Sequence, residues 1–168
     1  MTCDEKFVHL RNPVNRMQWL NVGQSAEHVA KQGRFEKKFM ICVWWNFEHV
    51  IQFQTLPKGR SGNSAIYLEQ LNNMYASLKS KYPALVDRGR AFLQQDNARP
   101  QTSCITREKI EELDGIELLS YHAYSPDLAS SEYQMFRSMA SFFCGRRLSN
   151  INGIERGCLD IFAPKFKE

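Results

Sequence analysis

"FMICVWWNFEHVIQFQTL", Phe39 to Leu56, decides the fold class. Its first half, Phe39 to Phe47, is a nearly continuous apolar run, the pattern of a buried central strand. Its second half, His49 to Leu56, alternates apolar and polar residues with the period of a strand. So little chain separates the two that an antiparallel hairpin is expected. Trp44 and Trp45 are adjacent, so they point to opposite sheet faces, where core packing is the expected role rather than base stacking.

Upstream, "KFVHL" (Lys6 to Leu10) reads as a short strand, with Asp4 at or just before its start. The stretch between it and Lys38 is polar, rich in turn residues and without a sustained period. It is expected to be an extended loop, and a loop of that length inside a compact domain is usually functional. Downstream the period changes. Tyr67, Leu71, Met74, Tyr75 and Leu78 share one face of a helix running from about Asn63 to Lys81. Asn63 is its candidate N-cap and Pro83 its stop. "AFLQQ" (Ala91 to Gln95) is a strand that ends at Asp96. A helix from Ser103 to Leu113 follows, closed by Gly115. "IELLS" (Ile116 to Ser120) is a further short strand and "YHAYSPDLASS" a loop. After Glu132, Tyr133, Phe136, Ala140 and Phe143 fall at helical spacing. A last helix is expected from Asn152 to Phe162, interrupted by Gly157. Three consecutive strands followed by alternating elements predict an α/β fold, a mixed sheet flanked by helices in the order of ribonuclease H-like folds.

The chain has 168 residues, enough for one domain with a sizeable core, and 43% of them are hydrophobic. Its net charge of +4 suits a nucleic-acid partner without requiring one. The five cysteines are odd in number, widely spaced and form no C-x-x-C, which argues against a disulfide framework or a structural zinc site and for a reducing compartment. No run of eighteen apolar residues could span a membrane, and the N-terminus lacks the apolar core of a signal peptide.

Three carboxylates stand on three separate predicted elements: Asp4, Asp96 and Glu132. Converging at one sheet edge, they would suit hard divalent cations, which prefer oxygen ligands. Two such ions about 4 Å apart can activate water and stabilise the leaving oxygen of a phosphodiester. Taken singly, each acid has an ordinary reading: a solvated terminal residue, an Asx-turn before the next helix, and an acid in a helix's first turn. Basic residues are spread along the chain, including Arg34, Lys37, Lys38, Arg99, Arg107 and the pair Arg146–Arg147. A solvated surface is the ordinary role for most. Arg99, three residues from Asp96, is the leading candidate for a phosphate contact. The four histidines show no metal-ligand spacing.

"DEKFV" (Asp4 to Val8), "CVWWN" (Cys42 to Asn46), "DNARP" (Asp96 to Pro100) and "YSPDLASSEYQMF" (Tyr124 to Phe136) occur in this order across nearly the whole chain. Together they resemble the mariner family of DNA transposases, whose catalytic domain also forms the transposase-derived half of the SETMAR fusion. The resemblance implies a DD[E/D] nuclease on a ribonuclease H-like fold. In it Asp4, Asp96 and Glu132 are the catalytic, metal-binding acids, holding two Mg2+ (or Mn2+) ions. Water attacks the phosphodiester at a transposon end, and the freed 3′-hydroxyl then attacks target DNA. The implied partners are transposon-end and target DNA and a second copy of the chain, in the nucleus. Among the basic residues, Arg99, Lys37 and Lys38 are the candidate DNA contacts, and the loop between the first two strands resembles a segment that holds transposon ends.

The chain departs from the family pattern in several places. Glu132 stands where aspartate is usual, and the spacer from Asp96 to Glu132 is one residue longer. Gln101 replaces a common histidine, and His122, Ala123 and Ser130 replace loop prolines. The chain starts three residues before Asp4, so residues 1–168 are expected to form a partial catalytic domain without the family's N-terminal helix-turn-helix region. A second function class therefore stays open, a catalytically inactive transposon-derived module that binds DNA or dimerises.

Overall fold

Strand β1 (Thr2–His9) pairs antiparallel with β2 (Lys38–Trp45), and β2 pairs antiparallel with β3 (Val50–Leu56). The computed structural model describes residues 1–14, 18–26, 33, 36–46, 49–56, 62–89, 91–119 and 135–163. Strands β4 (Ala91–Leu93) and β5 (Ile116–Leu118) form a parallel pair. A parallel bridge between Thr2 and Gln94 joins the two units, with Cys3 N–H donating to Gln94 O at 3.1 Å and Gln94 N–H to Met1 O at 2.9 Å. The strands therefore lie in the order β3-β2-β1-β4-β5, a mixed sheet with β1 at its centre. The expected hairpin and α/β class are present. The first strand starts earlier than its apolar core, because ladder bonds to β2 extend through Thr2, and Asp4 lies within it.

Two cores form, one on each face of the sheet. Helix α1 (Ser64–Lys81) covers the first, packing Tyr67, Leu71, Met74 and Leu78 against Cys3, Cys42, Trp44 and Leu93. Asn63 caps α1, its Oδ1 accepting the Ile66 N–H at 2.9 Å, a contact that contributes about 1 kcal/mol. The ring of Trp44 lies 5.7 Å from that of Tyr67. Helices α5 (Arg137–Phe143) and α6 (Ile151–Phe162) cover the second face, with Val8, Ile41, Val43 and Trp45 beneath them. Trp44 and Trp45 thus take opposite faces, both buried.

Local details depart from the sequence expectations for identifiable reasons. Pro83 opens a short helix α2 (Pro83–Asp87) after α1 has ended at Tyr82, because proline's fixed φ and missing N–H suit a helix's first position. The expected helix after Asp96 is two pieces, α3 (Arg99–Thr102) and α4 (Cys104–Glu112), separated by Ser103 in an extended conformation. On α5 the buried positions are Met139 and Phe143, and Ala140 is exposed. Gly157 does not interrupt α6. A Cβ there would lie 2.7 Å from Cε1 of Phe143, so the glycine lets α5 and α6 approach closely. The polar stretch after β1 contains neither helix nor strand among its described residues, apart from a single bridge from Arg11 to Arg147. The expected "YSPDLASS" loop, Glu132 and Tyr133 lie outside the described residues.

Candidate active site

Side chains alternate faces along a strand, and this places the acids. Cys3 packs on the α1 face and Val8 on the α5–α6 face, so Asp4 and Lys6 share the second face with Val8. The Lys6 ammonium, 4.9 Å from the centre of the Phe136 ring, marks the same side. On the neighbouring strand, Leu93 and Gln95 turn toward α1, where the Gln95 amide accepts a bond from Tyr67. Gln94, between them, turns the other way. From the Thr2–Gln94 bridge, two residues along each parallel strand reach Asp4 and Asp96. Asp4 lies within β1, and Asp96 lies in the turn just beyond β4.

Local bonds orient both carboxylates. Asp4 Oδ1 accepts the N–H of Glu5 at 2.7 Å. Asp96 is exposed in the turn beyond β4, and its Oδ1 accepts the N–H of Ala98 at 2.8 Å. This is the Asx-turn expected from the sequence, and it leaves the second carboxylate oxygen of Asp96 out of that bond. The turn ends at Ala98, and proline at the second position of α3 supports its start.

A cavity of about 290 Å³ opens beside Asp96 at the carboxyl ends of β4 and β5. Gln101, Thr102, Arg107, Leu118 and Leu119 line it with Asp96. In open α/β sheets the crevice beyond the carboxyl ends of parallel strands is where ligands bind. Glu5 lies close enough to feel both acids. Burial first, then repulsion from Asp96 and Asp4, push its carboxyl above the ordinary value of 4.5, while a hydrogen bond from the Gln101 side chain opposes the shift. Between 4.5 and its raised folded value the folded chain binds more protons than the unfolded one, so this group's contribution to stability falls as pH rises. Glu5→Gln removes the effect. The variant is expected to be more stable than the parent at neutral pH, with the difference shrinking as pH falls through 4.5, as read from urea midpoints across that range.

The structure brings together two of the three sequence-predicted acids, Asp4 and Asp96; Glu132 lies outside the described residues. Among the described residues no three His, Cys, Asp or Glu side chains form a metal-holding group. The described chain resumes at Met135 and Phe136, buried on the sheet face that Asp4 shares with Val8. Arg99 is exposed at the first position of α3, whereas the guanidinium lining the cavity belongs to Arg107 on α4. Lys37 and Lys38 are exposed at the far end of β2. Lys38 pairs with His9 and Asp4 with Val43, which separates them by roughly 17 Å along the ladder. The Lys38 ammonium sits 4.2 Å from the centre of the Phe7 ring.

A family model described as Transposase (partial DDE domain) matches residues 9–88, a stretch that contains neither Asp4 nor Asp96. The solved catalytic domain of the Mos1 mariner transposase aligns over 99% of this chain and 70% of that one, with 30% identity and a TM-score of 0.76. The chain belongs to the mariner transposase family. Its fold is the ribonuclease H-like fold of the DDE enzymes. The mariner Mos1 transposase of Drosophila mauritiana is 35% identical over all of this chain, which spans 49% of that protein. The histone-lysine N-methyltransferase SETMAR of Homo sapiens is 34% identical over 89% of this chain and 22% of its own length. The chain thus spans about half, or less, of the curated relatives it matches. Mos1 paired-end complexes solved with Mn and with Mg are 35% identical, cover 99% and 98% of this chain and 48% of theirs, and give TM-scores of 0.84 and 0.83.

Three residues near the acids were hidden in the sequence for different reasons. Arg107 reads as one more surface cation, because only the turn of the chain after Asp96 brings α4 back over the cavity. Glu5 and Gln95 are each next in sequence to an acid, which on a strand means the opposite face, so adjacency gave no signal for them.

Proposed function

We propose that this chain is the catalytic core of a mariner-type transposase, performing metal-dependent DNA phosphodiester cleavage and strand transfer in cut-and-paste transposition. What supports this reading is the Thr2–Gln94 bridge, which sets β1, carrying Asp4, beside the end of β4, where Asp96 follows. The donor set fits Mg2+ or Mn2+, since hard carboxylate oxygens suit both and Mg2+ keeps several of its own waters. Burial first, then repulsion from Asp96 and Asp4, raises the Glu5 carboxyl, and a cation held by the two aspartates would offset that repulsion.

Asp4, Asp96 and Glu132 would hold two ions. Ions bound there would lower the pKa of an attacking water and stabilise the leaving oxygen. Arg107 would take a phosphate oxygen at the cavity wall, with Arg99, Lys37 and Lys38 contacting the backbone farther out. Residues 1–168 would act as a single catalytic domain on transposon-end and target DNA, as a homodimer in the nucleus. Among the described residues, no helix is long and apolar enough to cross a membrane.

Supercoiled plasmid incubated with the purified chain tests the proposal. Conversion to nicked circles is expected with Mg2+ or Mn2+ and not with EDTA. Equal conversion in all lanes, or none in any, overturns the cleavage activity.

A further inference from the structure

At the end of the sheet where β1 leaves β2, three stretches of chain are tied together by backbone bonds. The Leu10 N–H donates to Lys37 O at 3.0 Å, continuing the ladder from β1 to β2. On the other side of the same stretch, the Leu148 N–H donates to Leu10 O at 2.7 Å and the Asn12 N–H to Arg146 O at 3.1 Å. An antiparallel bridge pairs Arg11 with Arg147. The Asn12 side-chain amide donates to His9 O at 2.8 Å. Leu10 and Leu148 pack against the core beneath α5 and α6. The cations beside them do not: Arg11, Lys37, Lys38, Arg146 and Arg147 are all exposed.

Placing these cations together costs stability. Partners in an antiparallel bridge stand directly opposite, with their side chains on one side, and like charges so placed repel. Lys38 adds to them, since it pairs with His9, two residues before Arg11 and roughly 7 Å along the strand. The stretches 10–14, 36–38 and 144–148 contain one acid, Glu36, which is partly buried. The cations form a row rather than a ring around one point, which suits successive phosphates of a nucleic-acid backbone. Aromatic rings hold two of the cations in place. The Arg146 guanidinium carbon lies 3.6 Å from the centre of the Phe142 ring, and the Lys38 ammonium sits over Phe7. A side chain already fixed on a ring loses less freedom when it binds.

We propose that this end of the sheet is a separate DNA-contact surface, with Arg11, Arg147 and Lys38 binding backbone phosphates of duplex DNA. The proposal rests on the reading that the chain acts on DNA, and not on the metal-binding role of Asp4 and Asp96. Lys38 and Asp4 are roughly 17 Å apart along the ladder, which is about five base-pair steps of a duplex. One duplex held at the acids can extend to this surface.

Duplex DNA binding by the 168-residue chain in EDTA, measured across a range of salt, tests the surface separately from cleavage. Each phosphate contact contributes about 0.9 to the slope of log affinity against log salt. Arg147→Gln combined with Lys38→Gln is therefore expected to lose about 1.8 of that slope, and to bind roughly 50-fold more weakly at about 0.1 M salt. Arg147→Gln alone is expected to melt at or above the parent temperature, because it removes one of two opposed like charges. Arg88→Gln removes an exposed charge at the end of α2 and is expected to leave the slope unchanged. A parent slope in the double variant, whatever its affinity, overturns the surface, as does an equal loss per charge in Arg88→Gln. Displacement of DNA by poly-glutamate at equal charge concentration shows attraction for any polyanion and overturns the assignment to DNA. A wild-type chain that nicks plasmid with Mg2+ yet binds no duplex in EDTA overturns this surface alone. One that does neither overturns the reading that the chain acts on DNA as well.

Discussion

Asp96→Asn is expected to cut metal-dependent plasmid nicking at least about a hundredfold without loosening the fold. A ligand carboxylate that offsets developing charge contributes several kcal/mol to the transition state, and each 1.36 kcal/mol is tenfold in rate. Asparagine removes the negative charge and keeps an oxygen that can accept the Ala98 N–H, so the turn into α3 survives. Asp96→Ala is expected to lose the same activity and in addition about 1 kcal/mol of stability, because the Ala98 N–H then has no side-chain acceptor. Nicking rates and urea midpoints measured together separate the two functions of one side chain. Asparagine with near-parent activity would remove Asp96 from the chemistry and leave it a turn former.

Gly115→Ala is expected to be the most damaging substitution to the fold, at roughly 3 kcal/mol or more. Gly115 has φ +78, where a residue with a Cβ costs about 1–2 kcal/mol. The added Cβ would also lie 2.1 Å from the Val86 carbonyl oxygen and 2.9 Å from its carbon. Those are backbone atoms at the end of α2, so the clash is relieved only by moving a helix. The carbonyl of Gly115 accepts the Ala91 N–H at 3.2 Å, the contact from which β4 and β5 run side by side toward the cavity. Against a typical domain stability of about 5–15 kcal/mol, the loss shows as a large shift in the denaturation midpoint. Nicking is expected to fall with the folded fraction, and to recover at lower temperature, which Asp96→Asn does not allow.

The site was partly legible in the sequence. Asp96 was visible because an apolar strand stopping at Asp-Asn is a local signal, and its Asx-turn is a local bond. Asp4 was singled out as one of three acids on separate elements and tied to the others by the resemblance, while the strand that holds it begins earlier than its apolar residues show. The first residues of β1 are held by ladder bonds to β2 rather than by hydrophobic pattern. Gly157 was misread as a helix break because sequence records the missing side chain and not the Phe143 ring that needs its space. Arg107, Gln95 and Glu5 carried no signal, since what they lie beside is set across the fold.

By itself the sequence determined what depends on neighbours along the chain. The period of apolar residues set the hairpin and the amphipathic face of α1, Asn63 set where that helix starts, and the ordered motifs set the family. Only the tertiary structure decided the register of β1 against the end of β4, through one bridge between residues ninety-two positions apart, Thr2 and Gln94. A one-residue slip there would turn one acid to the opposite face of the sheet. That register depends on cores packed on both faces, which are not a property of any local stretch of residues.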